Sequence, residues 1–221
     1  MNRGHGIQLC RTLGDIAALM SPAQRCLVVE RRKLVVQQYI PNPLLIAGRK
    51  FDLRVWVLFT DSGSVYVFPK PYVRTSSVKF TMDGDFELAA HLTNYSVQKT
   101  GDALGAFEDG NTLMLDEAEA AVGRGPWAAA CMDKVVDAVR HTALADVSPL
   151  SKLRQALQTS RRHQFELLGY DFLVTDELEC LLIEVNANPT LNFQTPAHKD
   201  LVVAMMDSLF ATVVDPVFPP V

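Results

Sequence analysis

Gly169-Tyr-Asp-Phe-Leu-Val-Thr-Asp-Glu-Leu-Glu-Cys-Leu-Leu-Ile-Glu-Val-Asn186 sets two apolar runs on either side of the polar tetrad Asp176-Glu-Leu-Glu179. Such a tetrad reads as a turn, so the runs fold back on one another as an antiparallel pair. Counting outward from the turn puts Val174 against Leu181, Leu173 against Leu182, Phe172 against Ile183 and Asp171 against Glu184. One face then carries Tyr170, Phe172, Val174, Leu181, Ile183 and Val185 and is a core face; the other carries Asp171, Glu184 and Asn186. Opposed residues in such a pair hold their Cβ atoms about 4.5–5.5 Å apart, and two carboxylates there repel unless one is protonated or a cation intervenes. Two carboxylates and an amide are oxygen donors suited to Mg²⁺. A register slip of one residue would send both acids to solvent, but it would also expose the apolar face.

A second stripe of charge runs along Arg49-Lys-Phe-Asp-Leu-Arg-Val-Trp-Val57. Lys50, Asp52 and Arg54 share one face, and Phe51, Leu53, Val55 and Val57 share the other. By itself this is a solvated face or a ligand face. Arg74, in Pro71-Tyr-Val-Arg-Thr-Ser-Ser77, adds another forked cation near the next strand. Arginines beside a magnesium site suit a polyphosphate or acyl phosphate, which accepts paired hydrogen bonds. Gly4-His5-Gly6 would let backbone amides approach a phosphate, although no Walker lysine pattern follows it.

The remaining chain bounds these readings. With 221 residues, 48% hydrophobic and 21% charged, it is long enough to bury a core. Twenty-one Lys+Arg against 25 Asp+Glu give a net charge of −4, which disfavours a nucleic-acid-coating protein. Cys10, Cys26, Cys131 and Cys180 are widely spaced and lack a C-x-x-C pair, so neither a zinc site nor a disulfide framework is expected, and a reducing, intracellular setting is. The start lacks the apolar stretch of a signal peptide, and the apolar tail from Leu201 is broken by Asp207, Asp215 and prolines, so no membrane span is expected.

The chain order predicts an α+β fold with a largely antiparallel sheet flanked by helices. Arg3–Cys10 reads as a glycine turn entering a strand, and Leu13–Met20 as a short helix. Cys26–Glu30 and Leu34–Ile40 read as a hairpin about Arg31-Arg32-Lys33, stopped by Pro41-Asn-Pro43. Phe51–Thr60 and Val65–Lys70 form a second hairpin about Asp61-Ser-Gly-Ser64. Residues 101–125 lack periodicity and read as a surface insertion with one short helix. Pro126 suits the first turn of a helix to about Asp146; Ser151–Arg162 is a helix or a polar loop. Leu168–Thr175 and Leu181–Val185 are the last strands, and Ala197–Val213 is a closing helix. No linker divides the 221 residues into two domains.

In this order the elements resemble the tubulin–tyrosine ligase-like family of ATP-grasp ligases. The matching words are Arg3-Gly-His-Gly-Ile7, Gln37-Gln-Tyr-Ile-Pro-Asn-Pro-Leu-Leu45, Arg49-Lys-Phe-Asp-Leu-Arg54, Val73-Arg-Thr-Ser76, His91-Leu-Thr-Asn-Tyr-Ser96, and Glu166-Leu-Leu-Gly-Tyr-Asp171 with Leu182-Ile-Glu-Val-Asn186. The resemblance implies an ATP-grasp-like fold and a ligase that adds an amino acid, commonly glutamate, to an acidic protein tail such as that of tubulin. ATP and Mg²⁺ would be its cofactors, a carboxylate would be phosphorylated first, and an amine would then displace the phosphate. Gln37, Gln38, Tyr39 and Ile40 are implied as the strand reading the adenine edge, and Lys50 and Asp52 as the base and ribose side. Thr93 and Asn94 are implied along the phosphates, and Asp171, Glu184 and Asn186 as magnesium ligands. Arg54 would contact the phosphoryl group and Arg74 the carboxylate of the incoming amino acid, with Tyr95 and Ser96 in the same pocket; Arg54, Arg74 and Glu184 form the catalytic set. His91 is expected to cap or pack, and the Met205-Met206 pair to lie in the core. A cytoplasmic setting on microtubules or cilia is implied.

Two departures qualify the resemblance. The chain begins at the glycine loop, so the family's N-terminal lobe, with the lysine just before that loop, is expected to be lacking. Glutamate-adding members often carry Gly-x-Lys-Trp where this chain reads Gly110-Asn-Thr-Leu113. Glycine or tyrosine as the donor, and a non-catalytic remnant that binds nucleotide or tubulin, are the competing readings. A basic face for an acidic tail is hinted at by Arg31-Arg32-Lys33 and Arg161-Arg162-His163.

Overall fold

Strand β2, Arg49–Thr60, runs twelve residues and is buried along its whole length except at Lys50. Everything that positions the site is arranged around it. The computed structural model describes residues 6–20, 35–84, 86–145, 149–159 and 163–219. Seven strands form one antiparallel sheet: β1 (Leu45–Ile46), β2, β3 (Val65–Val67), β4 (Tyr72–Thr75), β5 (Thr112–Met114), β6 (Phe165–Val174) and β7 (Cys180–Asn186). Their spatial order is β5-β4-β2-β6-β7, with the short β1 and β3 also paired to β2. The expected α+β architecture is present.

Alternation along β2 sorts its side chains into two layers. Phe51, Leu53, Val55, Val57 and Phe59 join Tyr170, Phe172 and Val174 of β6 in the larger core. That core is closed by Trp127 and, from helix Ala128–Leu144, by Cys131, Val135 and Val139. Helix Pro149–Thr159 adds Leu157, so the stretch read as helix or loop is helical. On the opposite face Trp56 and Tyr72 pack against Leu201, Val202 and Met205 of the last helix, Pro196–Val213. Thr195 caps that helix by accepting from the His198 amide, and Pro196 fills its first turn. Beyond Trp56 the same face continues into Arg54, Asp52 and Lys50. Among the described residues no helix is long and apolar enough to cross a membrane.

The β6–β7 pair carries the expected register only in part. Asp171 does oppose Glu184, but Phe172 opposes Leu182, Leu173 opposes Leu181 and Val174 opposes Cys180. Ile183 is the extra residue of a bulge between the two halves of the ladder. The core face of β7 is therefore Cys180, Leu182 and Val185, while Leu181 and Ile183, expected inside, are 38% and 44% exposed. The Leu34–Ile40 strand is also corrected: residues 35–40 form no strand, because none of the described strands pairs with them. Its proposed partner, Cys26–Glu30, and the Arg31–Lys33 turn lie outside the described residues, as do Arg3–His5 and Arg161-Arg162.

Residues 101–125 contribute more than one short helix. They supply a 3₁₀ turn (Asp109–Asn111), the edge strand β5 and helix Leu115–Val122. The side chains of the turn clasp the neighbouring strand. Asn111 donates to the Thr75 carbonyl and the Ser77 hydroxyl, both at 3.0 Å, and accepts from the Gly105 amide at 2.7 Å. Glu108 pairs with the buried Arg49 and accepts from Thr75 at 2.9 Å, while the Arg49 guanidinium also lies 4.1 Å over the Phe107 ring.

Candidate functional site

Sheet order brings together charges that are far apart in sequence. On one face, Arg74 of β4 sits opposite Asp52 of β2, Arg54 of β2 opposite Asp171 of β6, and Asp171 opposite Glu184 of β7. Four strands thus lay cations and carboxylates side by side. Arg74 grips Asp52 through Nε at 2.7 Å and Nη2 at 2.5 Å, and the same Nη2 lies 2.9 Å from Asp171. Arg54 grips Asp171 through Nε and through Nη2 at 3.0 Å. Thr93 donates its hydroxyl to Asp52 at 2.7 Å. Asn186 reaches Asp171 at 3.3 Å and Glu184 at 3.2 Å from a single amide nitrogen.

Asp52, Arg54 and Asp171 are all buried, which rejects a solvated face. Burying ions without partners is unfavourable by several kcal/mol each, so the paired forks are what make this face tolerable. The expected repulsion between Asp171 and Glu184 persists, tempered by the two guanidiniums that pair with Asp171. Burial alone would raise its carboxyl, but Arg74 and Arg54 outweigh that and hold it below the ordinary value. Glu184 behaves in the opposite way. Burial, with the Asp171 charge beside it, raises its carboxyl, Arg74 opposing only in part, and among the described residues Glu184 forms no ion pair.

The donor set at this corner fits a hard divalent ion. Asp171 and Glu184 converge on the one Asn186 amide, and among the described residues no group of three or more His, Cys, Asp or Glu side chains is placed to hold a metal ion. Two carboxylates with an amide leave the remaining positions to water or phosphate, the arrangement Mg²⁺ takes rather than a closed protein cage.

The other sequence-predicted residues lie around this array. Lys50 donates to the Tyr39 hydroxyl at 3.3 Å, and that hydroxyl lies 2.7 Å from Nδ1 of His91. Gln37 and Gln38 are exposed; Tyr39 and Ile40 are half-buried. Asn94 and Ser96 are half-buried and Tyr95 exposed where the chain turns from Thr93 into the short helix Tyr95–Gln98. Sequence reasoning missed Gly169. A Cβ there would meet Pro189 at 2.9 Å and the Arg54 Cδ and Nε at 3.3 Å, so the glycine is the gap through which Arg54 reaches Asp171. A glycine inside a strand pattern was the available signal. His198 was missed as well. Its ring lies tilted against Tyr72 with centroids 4.2 Å apart, and burial, with the Arg54 charge nearby, pushes its imidazole down to about 4.

Tubulin glycylase 3B of Tetrahymena thermophila is 28% identical over 97% of this chain, which covers 18% of that protein. Protein monoglycylase TTLL8 of Homo sapiens is 31% identical over 91% of the chain, covering 23% of its own length. Probable tubulin polyglutamylase TTLL9 of Mus musculus is 33% identical over 78% of the chain, covering 37% of its own length. The chain therefore spans well under half of these relatives. The model of the Tubulin-tyrosine ligase family matches residues 1–220, and the chain belongs to that family.

Proposed function

We propose that the charged face of the sheet is the ligand face of an ATP-dependent ligase that joins an amino acid to an acidic protein tail such as that of tubulin. The observation that carries this reading is the corner of Asp171, Glu184 and Asn186 set directly against the Arg54 and Arg74 forks. Bound Mg²⁺-ATP would supply the phosphoryl group that activates a carboxylate as an acyl phosphate for attack by an amine. In this reading Asp171, Glu184 and Asn186 hold the metal, and Glu184 gains the counter-charge it lacks. Arg54 and Arg74 each commit Nε and Nη2 to carboxylates, which fixes the two forks in place. In this reading Arg54 would contact the transferring phosphoryl group and Arg74 the donor carboxylate. Such fixed donors stabilise developing charge without reorganising. Lys50 and Asp52 line the base and ribose; residues 37–40 read the adenine edge through backbone groups; Thr93 and Asn94 follow the phosphates; Tyr95 and Ser96 border the donor amino acid.

Two donors have support. Glutamate is favoured by the likeness to a probable tubulin polyglutamylase at 33% identity. Glycine is favoured by the glycylase names of the Tetrahymena and human relatives, and by Thr112-Leu113 standing where glutamate-adding members often carry a lysine followed by tryptophan. The proposed acceptor sets a microtubule context. The test supplies the full-length protein with tubulin, Mg²⁺-ATP and labelled glutamate, glycine or tyrosine. ATP-dependent incorporation of one label is expected and names the donor. No incorporation with any of the three contradicts the ligase reading.

A further inference from the structure

Lys50 stands apart from the other cations on this part of the sheet. Arg49, Arg54 and Arg74 each pair with a carboxylate, whereas the Lys50 ammonium lies 3.3 Å from the Tyr39 hydroxyl and 4.8 Å over the Tyr39 ring. Behind Tyr39 is His91, 2% exposed and held edge-on among the rings of Tyr39, Phe80 and Phe86 at 5.1–5.5 Å. Its Nε2 is buried without a hydrogen-bond partner.

Counting protons gives one direction in which both contacts of the Tyr39 oxygen are hydrogen bonds and its own proton is used. An ammonium only donates, so the Tyr39 oxygen accepts from Lys50. The phenol has one proton, and its other partner is Nδ1 of His91 at 2.7 Å. When the phenol gives its one proton to that nitrogen, Nδ1 accepts and the imidazole proton sits on Nε2.

We infer that His91 is a positioning residue for Lys50: by accepting the Tyr39 proton it turns the phenol lone pairs toward the ammonium and aims Lys50 at the nucleotide. The inference rests on the nucleotide-site reading of Lys50. Burial pushes Lys50 down to about 8, with Asp52 partly opposing, so its charge is sensitive to any lost acceptor. Burial raises Tyr39 to about 12, and burial with the Lys50 charge lowers His91, so both stay neutral through the range in which Lys50 titrates. Among the described residues, the other charged groups facing this cluster are Asp52 on β2 and Arg11, which lies 4.4 Å over the Phe86 ring.

Without the His91 acceptor the phenol proton is free to turn toward the ammonium, and the charged form of Lys50 loses support. Its titration then moves to lower pH. The test measures binding of a fluorescent ATP analogue to the full-length protein from about pH 7 to pH 9.5. Wild type should bind less tightly as pH rises through about 8. His91→Leu and Tyr39→Phe should each move that limb down by about half a pH unit or more and weaken binding several-fold near its midpoint. The double variant should be no worse than either single one, because both break one chain. His91→Asn, whose amide oxygen stands in for Nδ1, should return the limb toward wild type. A limb unmoved in His91→Leu and Tyr39→Phe overturns the assignment of His91. A limb that persists in Lys50→Met overturns the nucleotide reading of Lys50 itself, and so separates the two failures.

Discussion

Gly169 shows how one residue governs a reach across three strands. It lies between Trp56 on β2 and Asn186 on β7, on the face over which Arg54 crosses to Asp171. A methyl group there would press on Pro189 and Arg54. Gly169→Ala should lower stability by about 1–3 kcal/mol, a drop in Tm of roughly 2–8 °C, and should lower ligation further by displacing Arg54. Unchanged melting and turnover would contradict the close approach. His198 makes a separate prediction at the same scale. Its folded pKa is about 4, below the ordinary 6.5, so its contribution to stability is present above 6.5 and fades as pH falls toward 4. His198→Phe should remove that slope, giving a flatter curve than wild type in denaturant melts across this window. Glu184, with a raised carboxyl, changes stability in the opposite sense and is common to both proteins, so the difference isolates His198.

At the scale of elements, the 3₁₀ turn and β5 act as a clasp on β4, the strand that carries Arg74. Thr112 pairs with Arg74 in the ladder, while Glu108 bridges Arg49 on β2 to Thr75 on β4. Glu108→Ala would leave the Arg49 guanidinium, 2% exposed, without its carboxylate. Breaking such a buried pair should destabilise by about 3–5 kcal/mol in urea titration, with Glu108→Gln recovering part of the loss. A loss below the scatter of the measurement would mean that the clasp is ornamental. The sequence made some elements legible and hid others for physical reasons. Lys50–Arg54 alternates strictly between charged and apolar positions, so both the strand character of this stretch and its two faces could be read. Cys180-Leu-Leu-Ile183 is apolar at four consecutive positions, so alternation could not reveal which of them bulges. A three-residue edge strand such as β5 is too short to carry a period at all. For residues 35–40, β-branched content suggested a strand, but a strand requires a ladder partner.

Across the whole molecule, the candidate site is a product of strand order more than of any local motif. The opposed acids Asp171 and Glu184 followed from one hairpin and could be read directly. The Arg54–Asp171 and Arg74–Asp52 pairings require β2 to lie between β4 and β6, which no local pattern specifies. Those pairings leave Asp171 neutralised and Glu184 without an ion pair among the described residues, and the account stands on that asymmetry. Glu184→Gln is nearly isosteric and should keep the fold, with a metal-free Tm level with or above that of wild type because a like-charge contact is gone. The decisive measurement is ATP affinity of the full-length protein, with Mg²⁺ and with chelator, for wild type and Glu184→Gln. The account predicts that Mg²⁺ tightens ATP binding to wild type at least about tenfold and that most of this gain is lost in the variant. An equal Mg²⁺ effect in both proteins would contradict it.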